Sequence, residues 1–416
     1  MGLLSQKSPF SRVTALAAQR PVHAAFGWMH QNPKTIMDWQ VELSAIPAPP
    51  FGEQARTEWI AARFAEIGLQ SIETDDVGNV YGWLPAASLP PESTGPVVVL
   101  SAHLDIVFPA GTPLNPVVDG DRLVVPGACD NNAGVAGLLA IGRALILSGI
   151  SLPAPLVFMA NVGEEGEGDL RGVRRLYSHN PLAGRIAAHI VLDGAGDNSA
   201  VTQALGSRRF LVRIEGPGGH SFSDAGTPNP IAALSAALAA FAETPLPAAP
   251  RTTINLGTIH GGTSVNSIPE SVEASVDIRS TSTDELVRLE VTLFRAVEDA
   301  VLRCNQNPSS KGRKPLRLAI SRIGDRPAAE LRSDSVLMAA LLAVDRHLGL
   351  RTDLRLGSTD ANIPLSLGVP SLSMGAGGDG GGAHTLAEWY SDKNREIGLR
   401  RVLLLTLSMI EWAAEQ

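Results

Sequence analysis

Short unbroken apolar runs and longer helical patterns alternate along most of this chain. Val97-Val-Val-Leu-Ser101, Leu156-Val-Phe-Met-Ala160 and His189-Ile-Val-Leu192 are runs of strand length with no polar alternation. Such runs predict strands buried on both faces. Gln54 to Ile67 carries an apolar stripe (Trp59, Ile60, Phe64, Ile67) and stops at Gly68, which predicts a helix with a glycine end. Ala133 to Leu147 and Ser335 to Leu348 also read as helices, as does Asn394 to the end, and Val369 to Met374 as a further strand. The first 50 residues read as helical up to Ile46-Pro-Ala-Pro-Pro50, which must be extended. The expected fold is therefore α/β, a mostly parallel sheet flanked by helices. In such sheets sites form beyond the carboxyl ends of the strands.

The pattern changes near residue 208. Phe210 to Ile214, Thr252 to Thr258 and Val272 to Ile278 alternate polar and apolar positions, as strands with one wet face do. An Ala-rich helix (Pro230 to Phe241), a long amphipathic helix (Asp284 to Cys304) and a last strand (Leu316 to Ile320) complete a βαββαβ order. This reads as an α+β, ferredoxin-like domain at 208–323. It is inserted between two segments, 1–207 and 324–416, of one α/β domain.

The length, 416 residues, suits two domains. A net charge of −8 argues against nucleic acid or an anionic membrane as partner, since both require clustered Lys and Arg. Two cysteines, Cys129 and Cys304, are no disulfide framework. The stretch Met1 to Gln6 has Gln where a myristoylation signal needs Ser or Thr. Val13 to Ala18 is too short and too polar at its flanks for a signal peptide. No apolar run reaches the roughly 18 residues of a membrane span. The expected location is cytoplasmic.

Five residues are candidate ligands for a pair of metal ions: His103, Asp130, Glu165, Asp193 and His384. Most sit where an expected strand runs out into a loop. Asp105, two residues after His103, can orient the imidazole. Asp130 lies in a Gly-bounded turn, and its two oxygens can bridge cations roughly 3.5–4 Å apart. Glu164 adjoins a candidate ligand and points elsewhere, which suits a general base. Ligands with a spare carboxylate describe a hydrolase better than a structural metal site. The run Gly375 to Gly382 formally contains G-x-G-x-x-G. The βαβ context of a dinucleotide site is missing there, so the glycines read as room for close backbone approach. No G-x-S-x-G elbow supports a serine hydrolase.

Taken in order, Ser101-Ala-His-Leu-Asp105, Gly127-Ala-Cys-Asp-Asn-Asn132, Gly163-Glu-Glu-Gly166, Val191-Leu-Asp-Gly194 and Gly382-Ala-His-Thr385 resemble the M20 family of two-metal peptidases and amidohydrolases. The resemblance covers nearly the whole chain. It implies that His103 and Asp193 hold one ion, Glu165 and His384 the other, and Asp130 both. Glu164 is similar to the family's general base and Asp105 to the residue that orients the histidine. A cis peptide after Asp130 is also implied. Gly216-Pro-Gly-Gly-His-Ser221 resembles a motif that makes His220 a candidate oxyanion stabiliser. Gly261 to Pro269 and Val276-Asp-Ile-Arg279 likewise make Asn266 and Arg279 candidate substrate-binding residues. Gly357 to Asn362 resembles the family's substrate loop.

The resemblance further implies a zinc enzyme, with cobalt or manganese as alternatives, and a homodimer through the inserted domain. Asp at position 193 points to a di- or tripeptidase, acting on short peptides with a water activated at the metals and Glu164 as base. An N-acyl amino acid amidohydrolase or carboxypeptidase of the same family stands as an alternative, and a non-catalytic binding protein as another. Gly163 departs from the pattern, standing where many relatives carry an acid.

Overall fold

The computed structural model describes residues 8–86 and 95–416, so the Met1 to Gln6 stretch lies outside it. The chain divides into two compact units, Met1–Ala204 with Glu330–Gln416, and Leu205–Ala329.

In the first unit the central sheet runs in the order Gln70–Thr74, Val80–Leu84, Leu156–Asn161, Val97–His103, Ile186–Leu192, Ser371–Met374, Ser199–Ala204. Asp353–Gly357 pairs with the last of these. The interior pairings of Val97–His103 are parallel on both sides, and Ile186–Leu192 is parallel to Ser371–Met374. The pairs among Gln70–Thr74, Val80–Leu84 and Leu156–Asn161 are antiparallel, as is Ser371–Met374 with Ser199–Ala204. Every residue of Val97–His103, Leu156–Asn161 and Ser371–Met374 is buried, as unbroken apolar runs require. Val97, Val99, Val157 and Met159 pack on Leu170, Val173 and Leu176 beside and within the helix Arg171–His179. The helices Asn132–Ser148 and Arg395–Ala413 lie against Val97–His103 and against each other.

The helix expected from Gln54 runs Gln54–Ile67 and ends on Gly68 at φ 100°, a left-handed cap that a side chain would strain. Ser335 caps Val336–Leu348 by accepting from the Met338 N–H. A fully buried ion pair ties that helix to Arg395–Ala413. Arg401 Nε lies 2.6 Å from Asp345 Oδ1, and the guanidinium also donates to the carbonyls of Ser199 and Asn198.

Several elements were not expected from the pattern, among them the strands of a second sheet. Val117–Asp119, Arg122–Val124, Trp389–Ser391 and Asp379–Gly381 form a small antiparallel sheet. Its strands are three residues long, too short to show a period of two.

The second unit is an antiparallel sheet ordered Thr252–Gly261, Ser271–Ser280, Gly206–Glu215, Arg317–Arg326. The helices Pro230–Ala242 and Thr283–Gln306 cover one face through Leu234, Phe241, Leu289 and Leu293. Alternate residues of Ser271–Ser280 are buried, the signature of a one-sided sheet. The unit is wider than 208–323 because its first and last strands extend to Gly206 and Arg326. Among the described residues, no helix is long and apolar enough to cross a membrane.

Candidate metal centre

Strand ends bring the first residues together. His103 ends Val97–His103, and Asp193 follows Ile186–Leu192, two strands that are neighbours in the sheet. Glu164 and Glu165 leave Leu156–Asn161 on the other side. Asp130 precedes the helix Asn132–Ser148 and is joined to Asn131 by a cis peptide. His384 arrives from the glycine-rich stretch, at φ 64°.

His103 and Glu165 are buried, and His384 is 56% exposed. His103 Nε2 lies 3.2 Å from Asp130 Oδ1 and 3.9 Å from Asp193 Oδ1. His384 Nε2 lies 3.2 Å from Asp130 Oδ2 and 3.4 Å from Glu165 Oε1. The donor atoms of His103, Asp130 and Asp193 all fall within 4.8 Å of one another, as do those of Asp130, Glu165 and His384. The two groups share Asp130 through its two oxygens. A third group, His103 with Glu164 and Glu165, meets the same distance.

This donor set suits cations. His103 Nδ1 lies 3.1 Å from the Asp105 carbonyl oxygen, which takes its N–H. The Nε2 lone pair then faces two carboxylates, and a proton or a metal ion must lie between them. Asp130 Oδ1 is buried with no hydrogen bond of good geometry. Burial and the nearby Asp130 charge push Asp193 up to about 7. Burial also opposes the Asp130 charge, yet the His103 and His384 imidazoles beside it hold its carboxyl well below the usual range. Hydrogen bonds to Asp130 and Glu165 push His384 up to about 10. Two imidazoles and several carboxylates are ligands that zinc and its neighbours accept.

Asp105 lies beside both the His103 imidazole and the glutamate pair. Its carboxylate is 3.7 Å from His103 Nδ1, while its two oxygens accept the backbone N–H groups of Glu164 (3.0 Å) and Glu165 (2.7 Å). It fixes the glutamate pair more directly than the imidazole. Cys129 is a buried free thiol, pushed up to about 12 by burial.

Three supporting residues escaped the sequence reading. Glu388 accepts backbone N–H groups from the turn before Asp130. Arg56, fully buried and pushed down to about 9 by burial, donates to the Leu104 carbonyl and to Asn132 Oδ1, each at 2.7 Å. Arg171 forms a two-pronged pair with Glu53 at 2.9 and 2.8 Å and occupies the space where a Gly163 side chain would lie. A side chain at position 163 would meet Arg171 Nη1 at 2.4 Å.

In the second unit His220 pairs with Ser267 in a short two-stranded ribbon, and the Asn266 carbonyl accepts the Ser221 N–H. His220 Nδ1 accepts the N–H groups of Phe222 and Ser223, both at 3.2 Å, so a neutral ring carries its proton on Nε2. Arg279 lies near the far end of Ser271–Ser280 from Asn266, and its Nε is 2.7 Å from Asp277 Oδ2. The unit thus brings His220 and Asn266 together and leaves Arg279 apart from them.

Known proteins give these features a context. Residues 99–407 match the family model described as Peptidase family M20/M25/M40. A probable carboxypeptidase of Neosartorya fischeri is 30% identical over 227 residues, half of this chain and half of that one. The chain therefore matches about half the length of that curated relative. A tripeptidase structure from Staphylococcus aureus superposes with a TM-score of 0.72 at 20% identity, covering 92% of this chain and 99% of that one. The Saccharomyces cerevisiae dipeptidase Dug1p superposes with a TM-score of 0.70 at 14% identity, covering 94% and 99%. With the family model spanning most of its length, the chain belongs to peptidase family M20/M25/M40.

Proposed function

We propose that this protein hydrolyses amide bonds of short peptides at a pair of divalent cations, zinc being the best match to the donors. The observation that carries the reading is the pair of donor groups sharing Asp130. His103 and Asp193 would hold one cation, Glu165 and His384 the other, and Asp130 both. Bound there, the cations supply Lewis acidity, which polarises a substrate carbonyl and acidifies a water.

The chain's residues do the rest. Glu164, held through its backbone by Asp105, takes a proton from the attacking water and returns it to the leaving amine. His220 Nε2–H donates to the developing oxyanion. Asn266 and Arg279 bind the substrate, with Arg279 offered to a carboxylate. Asp193 favours di- and tripeptides. The protein acts as a homodimer in the cytoplasm. Thr252–Gly261, an outer strand with exposed Leu256 and Ile259, supports association through the inserted unit.

A second reading is carboxypeptidase or N-acyl amino acid amidohydrolase; the Neosartorya relative, a probable carboxypeptidase, favours the first of these. One experiment separates them: metal content together with a panel of dipeptides, tripeptides and N-acyl amino acids. About two metals per chain with chelator-sensitive cleavage of free-amine peptides supports the peptidase. Cleavage confined to N-acyl substrates or to longer peptides at their carboxyl ends moves the assignment to the second reading. No metal and no turnover leaves a binding protein.

A further inference from the structure

Three backbone N–H groups of the turn that carries Asp130 end on one buried carboxylate. Glu388 Oε1 accepts from Cys129 and Asp130, both at 2.8 Å, and Oε2 accepts from Gly127 at 2.9 Å. The Glu388 carbonyl takes the Val125 N–H at 3.1 Å. Four bonds from one residue therefore fix the whole turn from Val125 to Asp130. The side chain is 0% exposed. Without it the buried N–H groups of Gly127 and Cys129 would lose this acceptor.

The same residue sits four positions after His384. The connection is short and closed on itself. The Thr385 N–H and hydroxyl both reach the Gly382 carbonyl, at 3.0 and 2.7 Å, and the Glu388 N–H reaches the Thr385 carbonyl at 3.2 Å. His384 is more than half exposed, so packing alone does not hold it. Its frame is this closed loop, and the loop is pinned to the Asp130 turn through Glu388. Asp130 Oδ2 and His384 Nε2 meet at 3.2 Å although 254 residues separate them.

We infer that Glu388 is a positioning residue. It locks the Asp130 turn and the His384 loop into one frame, so that both present their donors to the same cation. The inference rests on the two-cation reading above. A carboxylate suits the task better than its amide does. Three donors converge on it, and Gln would turn an NH₂ group against at least one of them. Glu388→Gln keeps volume and removes only this match.

The test is a titration of the full chain and of Glu388→Gln with Co²⁺ alone, read by calorimetry and by visible absorption, beside thermal melting. The expected result is a folded variant whose weaker cation step is loosened about 10–100-fold, with a changed Co²⁺ spectrum. Glu388→Asp keeps the charge on a shorter stem. It should recover part of the affinity, and it serves as the test if Glu388→Gln does not fold. Wild-type Co²⁺ affinity and spectrum in a folded Glu388→Gln chain would overturn the inference, as would the same result in Glu388→Asp where Glu388→Gln does not fold. So would a drop in melting temperature with no change in cation affinity. A wild-type chain that binds no divalent cation would instead overturn the two-cation reading itself.

Discussion

The Asp105 carboxylate accepts the Glu165 backbone N–H at 2.7 Å, and its other oxygen takes the Glu164 N–H at 3.0 Å. One buried side chain thus sets the backbone of the proposed base and of the proposed ligand beside it. Asp105→Asn would turn an NH₂ group against one of these N–H groups. The expected result is a fall in kcat of roughly 10–100-fold. KM and the affinity of the His103 cation should change less, because the imidazole N–H is met by the Asp105 carbonyl, which the substitution leaves in place. Steady-state kinetics beside metal titration checks this. A variant that loses metal before it loses kcat would return Asp105 to the imidazole.

Glu164→Gln should retain both metals and lose roughly 10²–10⁴-fold in kcat, the usual weight of a general base. Metal analysis and single-turnover hydrolysis of a cleaved peptide decide the matter. Normal turnover would remove Glu164 from the mechanism.

Gly163 stands at φ 67°, and a methyl there would lie 2.4 Å from Arg171 Nη1. Gly163→Ala should therefore cost more than about 1 kcal/mol of stability. It should also lower kcat, because the disturbed backbone continues directly into Glu164. Denaturant unfolding and kinetics on the same preparation test both. If stability and kcat match wild type, the Arg171 packing does not constrain this turn.

His189 is fully buried between Ser101 Oγ at 2.8 Å and the Tyr177 hydroxyl at 3.1 Å, and burial pushes it down to about 3. An unfolded histidine takes up its proton near pH 6.5, so between about 6.5 and 3 the unfolded state binds the extra proton. Its contribution to stability is complete above that window and falls as pH drops through it, by about 1.4 kcal/mol per pH unit. Unfolding free energies at pH 7, 5 and 4 for wild type and His189→Gln should differ in slope by about that amount. Parallel slopes would mean that His189 titrates normally in the fold.

Asp345 and Arg401 are both buried, at 1% and 0% side-chain exposure. Asp345→Ala leaves an unpaired buried guanidinium and should cost about 3–5 kcal/mol. The double change Asp345→Leu with Arg401→Met should recover much of that loss, measured by denaturant midpoint. A mild single change would show that water reaches Arg401.

The legible part of this protein was the part with a strong period. Gln54–Ile67 was readable at both ends because its stripe is regular and Gly68 ends it. Strands such as Val97–His103 were readable because burial on both faces leaves Ser101 as the one polar residue before His103. The candidate ligands stood out at those strand ends. Glu388 did not, because a single acid in Thr-Leu-Ala-Glu-Trp reads as surface, and its three partners are backbone groups that no sequence shows. Arg56 carried a faint signal. It lies one turn before Ile60 and two before Phe64, on the face its helix buries. The strands Gln70–Thr74, Ser199–Ala204 and Asp353–Gly357 are partly exposed and mixed in polarity, so tertiary pairing rather than pattern defines them.

Ser371–Met374 lies in the interior of the sheet, between Ile186–Leu192 and Ser199–Ala204. A ribosome delivers those two flanking strands long before it delivers the one that separates them. The unit Leu205–Ala329 is synthesised in the interval, while the first unit still lacks this strand. His384 arrives only after that strand. On the two-cation reading proposed above, hydrolysis is therefore withheld during synthesis from a chain that is itself still an exposed peptide.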